Sequence, residues 1–159
     1  MGESGEHEGQ LMSERGFTMA YVGEFVHQLD ARNRVTVPSS WRVAGDDGSY
    51  YFAWPHPEGC IVVYPPHMTE SLLEKAREIQ QSNVRGVATL RKLFGGAHKF
   101  GCDKQGRILL PDSLKDHAGI RKQVSLIGLG HYFQIWDAGR RETEEEEFNL
   151  LEAMAEMGI

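Results

Sequence analysis

Two nine-residue segments hold the side chains best suited to binding or pairing. Residues 30–38 read DARNRVTVP and residues 103–111 read DKQGRILLP. Each sets an aspartate four residues before an arginine, with a further cation, Arg32 or Lys104, inside the interval. A carboxylate and a guanidinium at that spacing can pair across a turn and pin it. Arginines that face outward instead present a planar fork suited to phosphate oxygens and to the major-groove edge of guanine, while lysine offers a point charge better fitted to phosphate. Both roles stand open for Asp30–Arg34 and Asp103–Arg107: structural pairing across the turn, or an arginine turned toward DNA. Arg32 and Lys104 lie within the turns, where packing demands less, and are the stronger candidates for phosphate contact. Copy one is the more basic, since ARNR carries two arginines and Arg42 follows closely.

A second spacing concerns metal. His56–Cys60 and His98–Cys102 are both H-x-x-x-C, which makes four side chains of zinc-ligand type. The two pairs do not occupy equivalent places in the repeat, and Cys60 opens an apolar run. The spacing therefore reads as coincidence, and no metal or cofactor is expected. P-loop, G-x-S-x-G, H-E-x-x-H and dinucleotide fingerprints are all missing from the sequence. No catalytic residue is assigned, and GLG at 128–130 reads as a hairpin turn.

The elements that position the two motifs are themselves doubled. A shift of 73 residues maps Asp30 to Asp103, Arg34 to Arg107 and Pro38 to Pro111, and a shift of 72 aligns CIVVYP at 60–65 with YFQIWD at 132–137. Each copy is predicted to run through a hairpin, a short helical turn and two further strands. EFVHQLD leads into a turn and returns through RVTVP, whose β-branched residues favour a strand. Asn33 and Gly106 share the turn position that calls for a left-handed backbone, and they are the residue types that tolerate it best. Pro38 and Pro111 end the strands and open the short helices at SSWRVAG and DSLKDHAG, for which Ser or Asp caps and a closing glycine are expected. YYFAW should then pair with CIVVYP, and QVSLIG with YFQIWD. Asp30, Asn33, Pro38, Asp103, Gly106 and Pro111 are thus the hairpin-shaping residues.

Between the copies, MTESLLEKAREIQQ places Leu72, Leu73, Ala76 and Ile79 at helical spacing behind a Thr69 cap, and VATLRKLF forms a second helix stopped at Gly95-Gly96. The expected divisions are an acidic, disordered extension over 1–18, repeat 1 over 19–65, a helical connector over 66–97, repeat 2 over 98–137 and an acidic tail with helical character over 138–159.

The 159-residue chain carries a net charge of −6, unevenly spread. Residues 1–29 hold five acids and one arginine, residues 138–159 hold seven acids and two arginines, and the stretch between has 14 Lys/Arg against 11 Asp/Glu. The core is mildly basic and the ends are acidic, which permits a phosphate-binding face. With two cysteines, no apolar run near the roughly 20 residues of a membrane span, and no apolar centre of a secretory signal near the start, a reducing cytoplasm is expected.

The doubled D-x-[K/R]-x-[G/N]-R-h-x-h-P pattern resembles the AbrB-like swapped-hairpin DNA-binding superfamily, and the tandem arrangement resembles its MraZ members. The resemblance rests on LDARNRVTVPSSWR, VVYP, LRKLFGGAHKFGCDKQGRILLPDSLKDHAGI and FQIWD, spread over about residues 21–137. It implies a mainly β chain with short helices (α+β): a pseudo-twofold swapped-hairpin β-barrel of two AbrB-like half-repeats with a helical connector. It further implies a nucleoid-associated transcription regulator that forms rings on short direct repeats of double-stranded DNA upstream of the division and cell-wall gene cluster. Arg32, Arg34, Arg42, Lys104 and Arg107 are the DNA-binding residues on that reading. Two departures stand out: Asn33 replaces the usual glycine, and the extension before Met19 has no family counterpart. An oligomeric protein-interaction barrel, or an antitoxin-like protein of the AbrB type, is the competing reading. Antitoxins of that type usually carry one hairpin unit rather than two.

Overall fold

The computed structural model describes residues 21–42, 50–143 and 148–159. The expected disordered extension over 1–18 lies outside them. The strands are β1 (Glu24–Gln28), β2 (Arg34–Thr36), β3 (Tyr51–His56), β4 (Cys60–Tyr64), β5 (His98–Phe100), β6 (Arg107–Leu109), β7 (Gln123–Gly128) and β8 (Phe133–Asp137). The helices are a 3-10 turn at Ser39–Trp41, α1 (Pro66–Arg77), α2 (Val84–Gly95), α3 (Asp112–Ala118), α4 (Ala138–Thr143) and α5 (Leu150–Glu156). None of the described helices is long and apolar enough to cross a membrane.

The architecture is α+β, with an antiparallel six-stranded sheet ordered β1-β7-β8-β4-β3-β5 and a separate two-stranded ribbon of β2 and β6. The order reads the same from either edge once the two copies are exchanged. Two registers locate the pseudo-twofold axis. Val35 faces Ile108 in the ribbon and Val62 faces Gln134 in the sheet, and these are the residues that the shifts of 73 and 72 equate. A residue that pairs with its own equivalent must sit at a twofold.

The copies exchange strands, since β1 of copy one pairs with β7 and β5 of copy two pairs with β3. Two sequence expectations are corrected here. The arms of each motif do not form a hairpin ladder with one another: β2 pairs with β6 instead. Two main-chain bonds close each turn: Asp30 N–H to Arg34 O at 2.9 Å with Asn33 N–H to Asp30 O at 3.1 Å, and Asp103 N–H to Arg107 O at 2.9 Å with Gly106 N–H to Asp103 O at 3.0 Å. Beyond them the arms part, because Leu29 N–H is already given to Lys122 O at 2.8 Å. Nor is the barrel closed: β1 and β5 remain the two edges of the sheet, and the three-residue arms of the ribbon lie in their own sheet.

Alternation along the strands explains the layers. Val35, Val37, Ile108 and Leu110 point inward from the ribbon and its extensions, onto Tyr51, Ala53, Ile61, Val63, Val124, Leu126, Phe133 and Ile135 of the large sheet. Trp41 sits fully buried in this core, against Phe133 at 5.1 Å and Phe25 at 5.4 Å, with its indole N–H given to Val22 O at 3.1 Å. On the far face of the sheet Cys60, Val62 and Trp136 form a second cluster with Trp54, Tyr64, Ile127 and Tyr132. Phe94 of α2 meets Phe52 of β3 edge-on at 5.4 Å.

The helix boundaries show where the expected caps fail. Pro65 rather than Thr69 precedes α1, and Thr69 sits in the first turn with its hydroxyl given to Pro65 O at 3.1 Å. Leu72, Ala76 and Ile79 are half-buried as their spacing requires, whereas Leu73 is exposed. Pro38 and Pro111 are themselves the cap residues of the short helices, with no side-chain cap bond from Ser or Asp. The closing glycine does appear in copy two, where Gly119 takes the left-handed conformation at φ 65°. Asn83 caps α2 by accepting Gly86 N–H at 2.9 Å. The tail forms the two helices α4 and α5.

Candidate nucleic-acid interface

The two aspartates build the two turns in the same way. Asp30 Oδ1 accepts the backbone N–H groups of Arg32 and Arg34, both at 2.9 Å, and Oδ2 accepts Arg34 Nε at 2.7 Å. Asp103 Oδ1 accepts Gln105 N–H and Arg107 N–H at 2.9 Å, and Oδ2 accepts Arg107 Nε at 2.8 Å. A short acidic side chain that captures the backbone ahead of it is the chemical reason for aspartate at a turn. The N–H of Arg34 holds the Asp30 carboxyl below the usual carboxylate range, and the N–H of Arg107 does the same for Asp103, in both cases against the opposing effect of burial. Asn33 at φ 61° and Gly106 at φ 78° supply the left-handed position.

That position also links the copies. Asn33 O accepts Leu110 N–H at 3.0 Å and Gly106 O accepts Val37 N–H at 2.8 Å, which lengthens the ribbon by a rung at each end. Lys115 Nζ donates to Asn33 Oδ1 at 2.7 Å. Symmetrically, the guanidinium of Arg42 lies over Gly106, with its Cζ 2.6 Å from where a Cβ would stand. Gly106 is therefore required twice, by its backbone angle and by the side chain that crosses it. Lys115 is the residue that sequence reasoning missed, although the shift of 73 maps Arg42 onto it.

Arg34 and Arg107 leave the ribbon on its outward face with Thr36 and Leu109. Each pairs with its own aspartate and approaches the other copy's: Arg34 Nη1 lies 4.0 Å from Asp103 Oδ2 and Arg107 Nη1 lies 3.9 Å from Asp30 Oδ2. The four groups are a quarter to a third exposed. Arg32 and Lys104 are exposed at the turns and make no ion pair with a described residue. Six cations, Arg32, Arg34, Arg42, Lys104, Arg107 and Lys115, thus lie in or against the two turns, whose carboxylates each accept three donors. Outward guanidinium and ammonium groups can bind anionic oxygens, and a two-stranded ribbon is narrow enough for a DNA major groove.

Among the described residues no three or more His, Cys, Asp and Glu side chains gather at metal-binding distance. Cys60 lies in the cluster on the far face of the sheet and Cys102 packs against the inner core, so the sheet separates the two H-x-x-x-C spacings. GLG runs from the last residue of β7, Gly128, into the β7–β8 connection, where Gly130 has φ 88°.

Residues 93–157 match the family model described as "MraZ protein, putative antitoxin-like". The chain is 32% identical over 143 residues to the transcriptional regulator MraZ of Clostridium acetobutylicum, covering 87% of this chain and 99% of that one. It is 33% identical over 144 residues to the protein of the same name from Natranaerobius thermophilus, again covering 87% and 99%. The Finegoldia magna relative is 31% identical over 130 residues, covering 82% and 90%.

Proposed function

The chain belongs to the MraZ family of transcriptional regulators, and on that premise we propose that it binds double-stranded DNA through the outward face of the β2/β6 ribbon. Arg32 and Lys104 contact phosphates, Arg34 and Arg107 divide their guanidinium forks between the turn aspartates and DNA, and Arg42 adds charge beside the copy-two turn. Asp30, Asn33, Pro38, Asp103, Gly106 and Pro111 shape the surface that presents them. The observation that carries this reading is the outward cationic ribbon whose carboxylates are already satisfied. No catalytic role is assigned.

A handful of cations per protomer binds DNA weakly, because affinity grows with the number of phosphates neutralised. A ring of identical protomers repeats the same turns at a fixed spacing and joins weak contacts through effective concentration. The proposed target is accordingly a set of direct repeats upstream of the chain's own operon, in the division and cell-wall gene cluster, with the protein in the cytoplasm on the nucleoid. The test is a mobility shift on that upstream DNA, with the oligomer mass measured in parallel. A sequence-preferring shift by a multimer supports the proposal, and no preference over a scrambled duplex at moderate salt refutes it.

One observation favours a second reading, a docking surface for a protein: α5 and its flanks expose Phe148, Leu150, Leu151, Met157 and Ile159. Salt separates the two readings, since apolar docking persists where phosphate binding fades.

A further inference from the structure

An open groove of about 450 Å³ lies beside the copy-one turn, lined by Gln28, Arg121, Lys122, Gln123, Asp137 and the start of α4. Its position follows from the register. Gln28 opposite Gln123 is the last rung of β1 and β7, Leu29 N–H then bonds Lys122 O at 2.8 Å, and the next residue is Asp30. Arg121 and Lys122 are exposed and form no ion pair with a described residue. The one carboxylate in the lining, Asp137, already accepts Arg140 N–H at 3.1 Å through Oδ2. Two free cations and two primary amides thus meet at one end of the turn that carries Arg32 and Arg34. Phosphodiester oxygens are the ligand class for such a set, since lysine, arginine and glutamine side chains are common donors to the DNA backbone.

The sequence of copy two carries no equivalent set of side chains. The exposure pattern of residues 50–55 repeats that of 123–128 position by position, which fixes the offset of 73 through this region. Under it, Gln28, Arg121, Lys122 and Gln123 correspond to Gly101, Gly48, Ser49 and Tyr50. None of those side chains carries a charge or an amide.

We propose that this groove, resting on the DNA-binding reading above, clamps a DNA backbone phosphate on the copy-one side alone and so gives the pseudo-twofold ribbon a direction. A twofold reader is matched to a palindrome, because operator symmetry mirrors protein symmetry. A clamp on one flank breaks that equivalence, and a reader with one preferred orientation is suited to direct repeats.

The test compares wild type, R121A/K122A and Arg34→Ala in anisotropy titrations over a salt series, on a duplex from upstream of the chain's own gene and on a scrambled duplex. R121Q/K122Q repeats the measurement with bulkier neutral side chains, and thermal melting verifies the fold of each variant. The double variant, losing the one clamped phosphate, should lower the slope of log affinity against log salt by about 0.9 per engaged protomer, on both duplexes alike. Hydroxyl-radical protection should be lost on one flank of each repeat. An unchanged slope in both double variants, or protection lost equally on both flanks, overturns the clamp. If Arg34→Ala abolishes binding while the double variants match wild type, the ribbon reading stands and the clamp falls. If wild type shows no salt-dependent binding to either duplex, both fall.

Discussion

Arg32→Ala separates the proposed DNA contact from the fold. The Arg32 side chain is exposed and pairs with no described residue. Its backbone N–H, which alanine retains, is the group that Asp30 Oδ1 accepts at 2.9 Å. The turn therefore persists, and folding stability should move by less than about 0.5 kcal/mol, as at other exposed positions. Binding should respond differently. Losing one phosphate contact removes about 0.9 from the slope of log affinity against log salt for each engaged protomer. Between about 50 and about 200 mM salt, that narrows the affinity gap between wild type and variant ~3.5-fold per engaged protomer. Lys104→Ala should follow the same course with a smaller loss, since a point charge replaces a fork of donors. Anisotropy titrations on the upstream duplex across the salt range, with urea unfolding alongside, supply both quantities. An unchanged slope would refute phosphate contact by Arg32. Equal losses for Arg32→Ala, Arg34→Ala and Lys104→Ala would remove the precedence of copy one.

Further predictions concern the frame that holds this face. Trp41→Ala empties the centre of the core and removes the bond to Val22 O, so it should cost about 3–5 kcal/mol in urea unfolding; a loss below about 1 kcal/mol would contradict the packing described. Gly106→Ala meets both a φ of 78° and the Arg42 guanidinium, and should destabilise by roughly 1–2 kcal/mol, whereas Asn33→Gly, which keeps its backbone freedom, should cost less. Reversal of that order in the same urea experiment would show that Lys115–Asn33 outweighs the turn. Asp30 and Asp103 are held below the usual range, so their contribution is fully present above the unfolded carboxylate value of about 3.9 and is lost as pH falls through the lower folded value. Urea midpoints of D30N/D103N should consequently fall less steeply below about pH 4 than those of wild type; parallel acid limbs would exclude the two turns from acid unfolding.

The turns were legible because their requirements are local. An aspartate bonds N–H groups two and four residues ahead, and only a few residue types sit comfortably at positive φ, so Asp30, Asn33, Asp103 and Gly106 announce themselves without knowledge of the fold. The strand pairs β3–β4 and β7–β8 were equally readable, since the chain between them is short. The cap assignments failed because proline at the strand ends already sets the backbone into each helix, which left Ser39 and Asp112 inside rather than before it.

Duplication, the residues of the turns and the mildly basic centre are properties that this sequence determines by itself. Tertiary structure alone decided that β2 seeks β6 instead of β1, that the six-stranded sheet stays open at β1 and β5, and that Arg42 and Lys115 cross to the other copy's turn. It also set Arg121 and Lys122 beside a motif some 90 residues earlier in the chain. The physical reason is common to all of these. A local turn is specified by bonds within five residues, whereas the choice of a distant partner depends on which apolar faces can be buried together, and two similar copies offer each strand more than one plausible mate.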